Sequence, residues 1–252
     1  MIKALSRTSV DLKTTEVISS LLQILNTKKA RYNDKVETLE KEYARLIGVK
    51  EAVAFPYSRT GTYYALMALE LQEGDEVIMP AFTFWVDAAM VVMAGLKPVF
   101  VDVNFETQSI DTALIENAIT PRTKVIYPTH LNGLPADMDQ IMKIAKKHDL
   151  RVMEDCARSC GATYKDKRIG SFDIGSFSFG YGKSFYGFGG AMVTSDDAAF
   201  IKKLRDLKKD FKHISLKNIC IQTLKGSLLK YLNISYFYRF SIFPMVYKFQ
   251  VE

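Results

Sequence analysis

Val152-Met-Glu-Asp-Cys-Ala-Arg-Ser-Cys-Gly161 and Gly175-Ser-Phe-Ser-Phe-Gly-Tyr-Gly-Lys183 decide how this chain is read. In the first stretch an apolar run ends in two acids, Glu154 and Asp155. In the second an apolar run leads into a glycine-flanked lysine, and Gly187-Phe-Gly-Gly190 follows closely. Short apolar runs of this kind suit strands covered on both faces, and the groups that do chemistry sit beyond their carboxyl ends. A carboxylate at one such end and an amine in the glycine-rich turn after another predict a site that handles a basic nitrogen and an amine together.

Outward from that pair the pattern alternates. Strands are expected at Ala52–Phe55, Glu76–Met79, Pro98–Asp102, Lys124–Tyr127, Arg151–Glu154, Gly175–Ser178 and Ala191–Thr194. Helices are expected at Thr62–Leu71, Trp85–Ala94, Asp111–Ile119 and Met138–His148, most of them closed by glycine or polar turns. Strands separated by helices of this length predict an α/β fold with a largely parallel sheet. Upstream, Thr15 to about Lys29 and a helix capped by Asn33-Asp34 and ended by Gly48 each carry an apolar stripe, which reads as packing. The organisation expected is an N-terminal arm and helix over 1–32, a main domain over 33–207, and a basic, aromatic segment over 208–252.

Composition sets limits on partners. The chain has 252 residues, 48% hydrophobic and 25% charged, ordinary for a globular protein able to bury a large core. Its net charge of +6 is uneven: residues 201–252 hold 11 Lys/Arg against 3 Asp/Glu, and the rest holds 23 against 25. Nucleic-acid binding by the main body therefore gains no support. Three cysteines, 156, 160 and 220, form neither a disulfide framework nor a zinc motif, and a reduced, cytoplasmic setting fits them. Met1-Ile-Lys-Ala-Leu-Ser-Arg7 lacks the apolar core of a secretory signal. The stretch from Cys220 to Phe249 is broken by charges and falls short of the ~20 apolar residues of a span. It reads as part of a packed small domain or as an interfacial helix making weak membrane-surface contact.

Motifs then stand in a fixed order: Tyr57-Ser-Arg-Thr-Gly-Thr62, Gly74-Asp-Glu-Val-Ile-Met-Pro-Ala-Phe-Thr-Phe84, Pro98-Val-Phe-Val-Asp102, Thr120-Pro-Arg-Thr-Lys124, His130-Leu-Asn-Gly-Leu-Pro-Ala-Asp137, Glu154-Asp155, Ser178-Phe-Gly-Tyr-Gly-Lys183 and Gly189-Gly190. Each is weak alone. Together, from about residue 30 to 207, they resemble the DegT/DnrJ/StrS-type sugar aminotransferases. The resemblance implies the three-layer large domain of fold type I, pyridoxal 5'-phosphate (PLP) as cofactor, a homodimer, and a small C-terminal domain. It also implies transfer of an amino group from an amino acid, with glutamate the expected donor, to a keto group of a nucleotide-linked sugar.

The chemistry maps residue by residue. PLP needs a lysine to hold it as a Schiff base, and Lys183 matches. A carboxylate beside the ring nitrogen favours its charged form, and Asp155 matches. Phe84 matches the aromatic that stacks on the ring, and Trp85 beside it reads as packing. For the phosphate, a helix N-terminus suits a dianion. A gapless register places the family's phosphate signature on Ser58, Arg59 and Thr60, against a rival match at Thr60-Gly61-Thr62. Ser178 matches a further phosphate hydroxyl. Arg158 stands where the family has Gln or His near the phenolic oxygen, and Ser184 where it often has Asn.

Two departures keep alternatives open. After Leu207 nothing matches the family's small domain or its Gly-x-Asn-x-Arg-like segment that reaches a neighbour's cofactor. A truncated, non-catalytic dimerising or membrane-surface relative is therefore the competing reading. From Phe177 to Ser184 the chain ends like a phosphate-binding G-x-x-x-x-G-K-[ST] loop, but phenylalanine stands where its first glycine belongs.

Overall fold

The computed structural model describes residues 33–180, 182–187, 189–209 and 211, together with positions 15, 18, 19, 220, 221, 223–225 and 228. The expected helix from Thr15 to Lys29 and the basic segment over 208–252 lie largely outside the described residues. Among the described residues no helix is long and apolar enough to cross a membrane.

The strands are β1 (Glu51–Phe55), β2 (Glu76–Pro80), β3 (Lys97–Val101), β4 (Thr123–Ile126), β5 (Arg151–Asp155), β6 (Thr163–Tyr164), β7 (Lys167–Arg168), β8 (Ile174–Ser178) and β9 (Ala191–Ser195). The α-helices are α1 (Asn33–Ile47), α2 (Ser58–Ala68), α3 (Trp85–Met93), α4 (Thr112–Ile115), α5 (Met138–His148) and α6 (Ala198–Lys208). Seven strands form one sheet in the order β1-β9-β8-β5-β4-β2-β3. Every pairing from β3 across to β8 is parallel, and only β9 runs antiparallel, to both β8 and β1. The expected parallel sheet is thus present with one reversal. That reversal follows from the connection: β8 reaches β9 through a loop, with no crossover helix to bring the chain back.

Alternate residues of each strand face opposite layers, as the two-residue period requires. Val53, Val77, Met79, Val125, Met153 and Val193 pack with α2, α3 and α6 through Ala65, Leu66, Val91, Ile201 and Leu204. On the other face Ile78, Ile126 and Val152 meet α5 through Ile141, Ile144 and Ala145. Further along that face Ala52, Phe177 and Met192 meet α1 through Tyr43, Ala44 and Ile47. The three expected layers are therefore filled.

Local chemistry explains the element ends. Asp137 caps α5 by accepting from the Gln140 amide, and Lys146, Lys147 and His148 complement the helix dipole at the far end. Helix α2 starts a turn earlier than the expected Thr62, because extended Tyr57 already serves as its N-cap. The chain leaves it at Glu70, which has φ 53°. The helix expected over Asp111–Ile119 is shorter: Asp111 caps it, and it tightens into a 3-10 turn at Glu116–Ala118. The β6–β7 hairpin and α6 are elements that the sequence reading did not contain. The hairpin strands, two residues each, are too short for a period to show. Helix α6 is announced by Asp197, whose carboxylate accepts from the Ala199 and Phe200 amides at 3.0 Å.

Candidate active site

Because β1, β2, β5 and β8 run parallel, their carboxyl ends lie along one edge of the sheet. That edge collects the start of α2, the loop before α3, Asp155 and the loop after Ser178. Side chains of Asp155, Ser176 and Ser178 share the strand face of Met153 and Ile174, the face covered by α2 and α3.

Asp155 ends β5 buried, with Oδ1 accepting from the Ala157 amide at 2.9 Å. Burial pushes its pKa up. The Ala157 N–H and the charges of Lys183 and Arg158 pull it back. Asp87, in the first turn of α3, is also buried, and burial together with the charge of Asp155 pushes its carboxyl well up. Behind them Tyr127 Oη donates to Asp87 Oδ1 at 3.2 Å, and Thr62 Oγ1 stands 3.3 Å from Tyr127 Oη and 3.2 Å from Ser176 Oγ.

Lys183 lies in the β8–β9 loop, with its amide bonded to the Gly180 carbonyl at 3.3 Å. Gly182 and Gly190 take φ of 77° and 96°, a region that suits glycine and turns this loop back to the sheet. The Gly190 amide reaches the Pro56 carbonyl, tying the loop to the turn before α2. Ser184 Oγ donates to the Arg158 carbonyl at 2.7 Å, tying it to the loop after Asp155. The Lys183 Nζ stands 5.6 Å from the centre of the Phe84 ring. Burial lowers its pKa, Asp155 and Asp87 oppose that shift, and Arg158 adds to it.

The first hydrogen bond of α2 runs from Gly61 N to Tyr57 O, so the amides of Ser58, Arg59 and Thr60 precede the helical ladder. Tyr57 supplies no side-chain cap. Ser58 and Thr62 lie one turn apart on the same helix face, and Ser176 and Ser178 lie on the same strand face. Since Thr62 meets Ser176, the start of α2 and Ser178 lie toward the same edge of the sheet. In the rival match, Thr62 is spent on interior hydrogen bonds, and a Cβ at Gly61 would come 3.1 Å from Val193 Cγ2. Arg59 is exposed, its guanidinium 5.3 Å from the Tyr57 ring centre.

The structure corrects one expectation. Trp85 is 72% exposed, not packed, because at the first turn of α3 it points away from the sheet with Val92 and Met93. Two buried groups that the charge of Asp155 reaches were missed. Asp87 reads in sequence as an ordinary first-turn acid, and Tyr127 as the last apolar residue of a strand.

On the other face His130, Glu154 and Cys156 approach one another closely enough to suggest a metal site. Their lone pairs are taken. His130 Nδ1 accepts from the Ala136 amide, which leaves Nε2–H to donate to Glu154 at 3.0 Å. Glu154 also accepts from the Gly170 and Phe172 amides. Burial pushes the Cys156 thiol well up, so it stays protonated.

A family model described as the DegT/DnrJ/EryC1/StrS aminotransferase family matches residues 12–219. This chain belongs to the DegT/DnrJ/EryC1/StrS family. A UDP-N-acetyl-3-dehydro-α-D-glucosamine 3-aminotransferase of Acidithiobacillus ferrooxidans is 45% identical over 195 residues, 77% of this chain and 53% of that protein. The aminotransferase from Psychrobacter cryohalolentis superposes with a TM-score of 0.76 at 30% identity, covering 91% of this chain and 64% of that one. NtdA from Bacillus subtilis, with bound cofactor PMP, gives 0.75 at 29% identity, covering 93% and 57%. The chain spans about half the length of the curated relatives it matches. DegT-family aminotransferases use PLP, and the fold is that of the fold type I PLP enzymes. The donor set here fits that cofactor: a buried carboxylate, a partly buried amine beside an aromatic face, and a helix start toward the same sheet edge as a serine.

Proposed function

We propose that this chain carries the cofactor-binding domain of a PLP-dependent aminotransferase that aminates a keto group on a nucleotide-linked sugar. The donor is an amino acid, glutamate. The observation that carries the reading is Lys183: its amine is held against Phe84 and within the field of Asp155, with a lowered pKa that raises the share of neutral, nucleophilic amine. When bound, PLP supplies an electron-withdrawing ring that stabilises negative charge on the carbon that gives up its proton.

The chain's own residues have separate tasks. Asp155 keeps the ring nitrogen charged. Lys183 would hold the cofactor through its amine and, when that amine is free, would carry the proton as general acid and base. Phe84 covers one ring face. The amides of Ser58, Arg59 and Thr60 and the hydroxyl of Ser178 would hold the phosphate, and Arg158 would meet the phenolic oxygen. The 45% identity to the Acidithiobacillus protein makes a 3-keto UDP-N-acetylhexosamine the first substrate to test. The exposed stripe of Trp85, Val92 and Met93 supports a homodimer, since apolar side chains seven and eight residues apart share one helix face. Cysteines left free, one of them fully buried, support a reducing cytoplasmic setting.

The test is direct. Purified full chain mixed with PLP should turn yellow, and borohydride should fix the added mass on Lys183. Glutamate should then discharge the colour with release of 2-oxoglutarate. Protein that stays colourless overturns this reading in favour of the non-catalytic relative.

A further inference from the structure

The aromatic side chains at the mouth of the site gain little from packing. Phe82, Phe84 and Trp85 stand close together between the end of β2 and the first turn of α3, and each is more than half exposed. A ring left in water has little buried area to fix its place. Phe84 nevertheless stands 5.6 Å from the Lys183 amine.

Polar bonds set its position instead. The Ala81 amide donates to the Val101 carbonyl at 2.8 Å, which extends the pairing of β2 with β3. The Asp87 amide donates to the Phe84 carbonyl at 2.9 Å, which opens α3. Between these two bonds, among the described residues, one side chain is tied by a hydrogen bond to the sheet: Thr83, whose Oγ1 lies 2.7 Å from Oγ1 of Thr129. One hydroxyl donates and the other accepts.

Thr129 is a firm anchor. It is 5% exposed and pairs with Asp155 just past the end of β4. The Asp155 amide donates to the Pro128 carbonyl at 2.9 Å, and the His130 amide donates to the Asp155 carbonyl at 3.0 Å. Thr129 thus sits between two bonds that hold the backbone of Asp155. Paired residues of a parallel ladder send their side chains to the same face, so the Thr129 hydroxyl and the Asp155 carboxyl both point to the α3 side.

We propose that the Thr83–Thr129 hydroxyl pair is a latch that fixes Phe84 relative to Asp155. The residue that covers the ring face and the residue that meets the ring nitrogen then belong to one rigid unit. Both threonines are positioning residues and act through Phe84. The role toward the ring rests on the PLP reading above; the latch itself does not.

The experiment uses the full chain, first without cofactor. Valine keeps the shape of threonine and lacks its hydroxyl, so Thr83→Val and Thr129→Val each remove the bond, whereas Thr83→Ser keeps it. The Asp87 amide, whose acceptor is the Phe84 carbonyl, reports whether Phe84 is held. The Ala81 amide, whose acceptor lies on β3, is the control. Hydrogen exchange followed by nuclear magnetic resonance should be about tenfold faster at Asp87 in each valine variant, the upper worth of one neutral hydrogen bond, with Ala81 unchanged and Thr83→Ser close to wild type. The double valine variant should exchange no faster than either single one, since both remove the same bond. Equal acceleration at Ala81 and Asp87 would make the bond a general stabiliser and overturn the latch, as would no acceleration at all. Should Thr83→Val fail to fold because it strands the buried Thr129 hydroxyl, Thr129→Val carries the test, since the partly buried Thr83 hydroxyl can turn to water.

A second arm adds PLP. Thr129→Val should weaken its retention by about three- to tenfold and reduce the circular dichroism of the bound cofactor's visible band, because Phe84 is then ordered only at binding. Thr83→Ser should keep both near wild type. Unchanged affinity and dichroism in Thr129→Val would overturn the positioning role. The exchange difference at Asp87, found in a chain that binds no PLP, would defeat the cofactor reading and leave the latch standing.

Discussion

Glu154 and Asp155 are sequence neighbours, both buried at the carboxyl end of β5, and they meet opposite conditions. Glu154 points to the α5 side, where His130 Nε2 and the Gly170 and Phe172 amides donate to it. Asp155 points to the α3 side, where it has one backbone donor and its charge reaches another carboxyl group. A buried charge supplied with three donors ties loops together. A buried charge left short of donors is poised for a ligand that brings a positive group. The pleat of a single strand separates a structural acid from the one proposed to meet the cofactor.

The largest expected effect lies on the Asp155 side. Lys183→Ala should lower the glutamate half-reaction by about 10⁴-fold, the upper range for losing a positioned general acid and base, and end covalent attachment as well. Its thermal unfolding should match the wild type, since among the described residues Nζ has no hydrogen-bonded partner holding the loop; its electrostatic partners are Asp155, Asp87 and Arg158. Retained turnover would move the covalent role to another residue.

On the opposite side the cost should be in stability. Glu154→Ala leaves His130 Nε2 and the Gly170 and Phe172 amides without their acceptor in a dry interior. Breaking such a buried cluster costs about 3–5 kcal/mol, to be read from urea unfolding of the chain without cofactor. A loss under about 1 kcal/mol, the scale of an exposed ion pair, would mean that water reaches this cluster.

How much of this could be read from the chain follows the same division. Periodicity located the strands and Met138–His148 because apolar spacing is a local property. Order and spacing of motifs marked Asp155, Lys183, Phe84 and Ser178, because each sits at a strand end or in the turn after one. Asp87 and Tyr127 were not legible. Their meaning comes from a meeting between α3 and the ends of β4 and β5, and the Tyr127–Asp87 bond alone spans 40 residues of sequence. Trp85 misled for a related reason: an aromatic after a strand suggests core, and only the orientation of α3 shows that it faces out. Glu154 carried no role in the sequence reading, and its tie to His130, from the loop after β4, became visible only in the fold.

The smallest effect is the sharpest test of the comparison. Asp155→Ala should weaken PLP retention by about 10- to 100-fold, the range for losing a hydrogen bond to a charged group. Folding stability without cofactor should not fall. Among the described residues the substitution strands a single donor, the Ala157 amide, and it removes a buried negative charge that pushes the Asp87 carboxyl up. Glu154 has no such offset, since every one of its contacts is a donor. Cofactor titration and urea unfolding on the same preparation separate the two quantities. If Asp155→Ala loses as much stability as Glu154→Ala, both acids are structural and the ring nitrogen is held elsewhere. If it keeps stability and loses cofactor, one face of β5 folds the domain and the other does its chemistry.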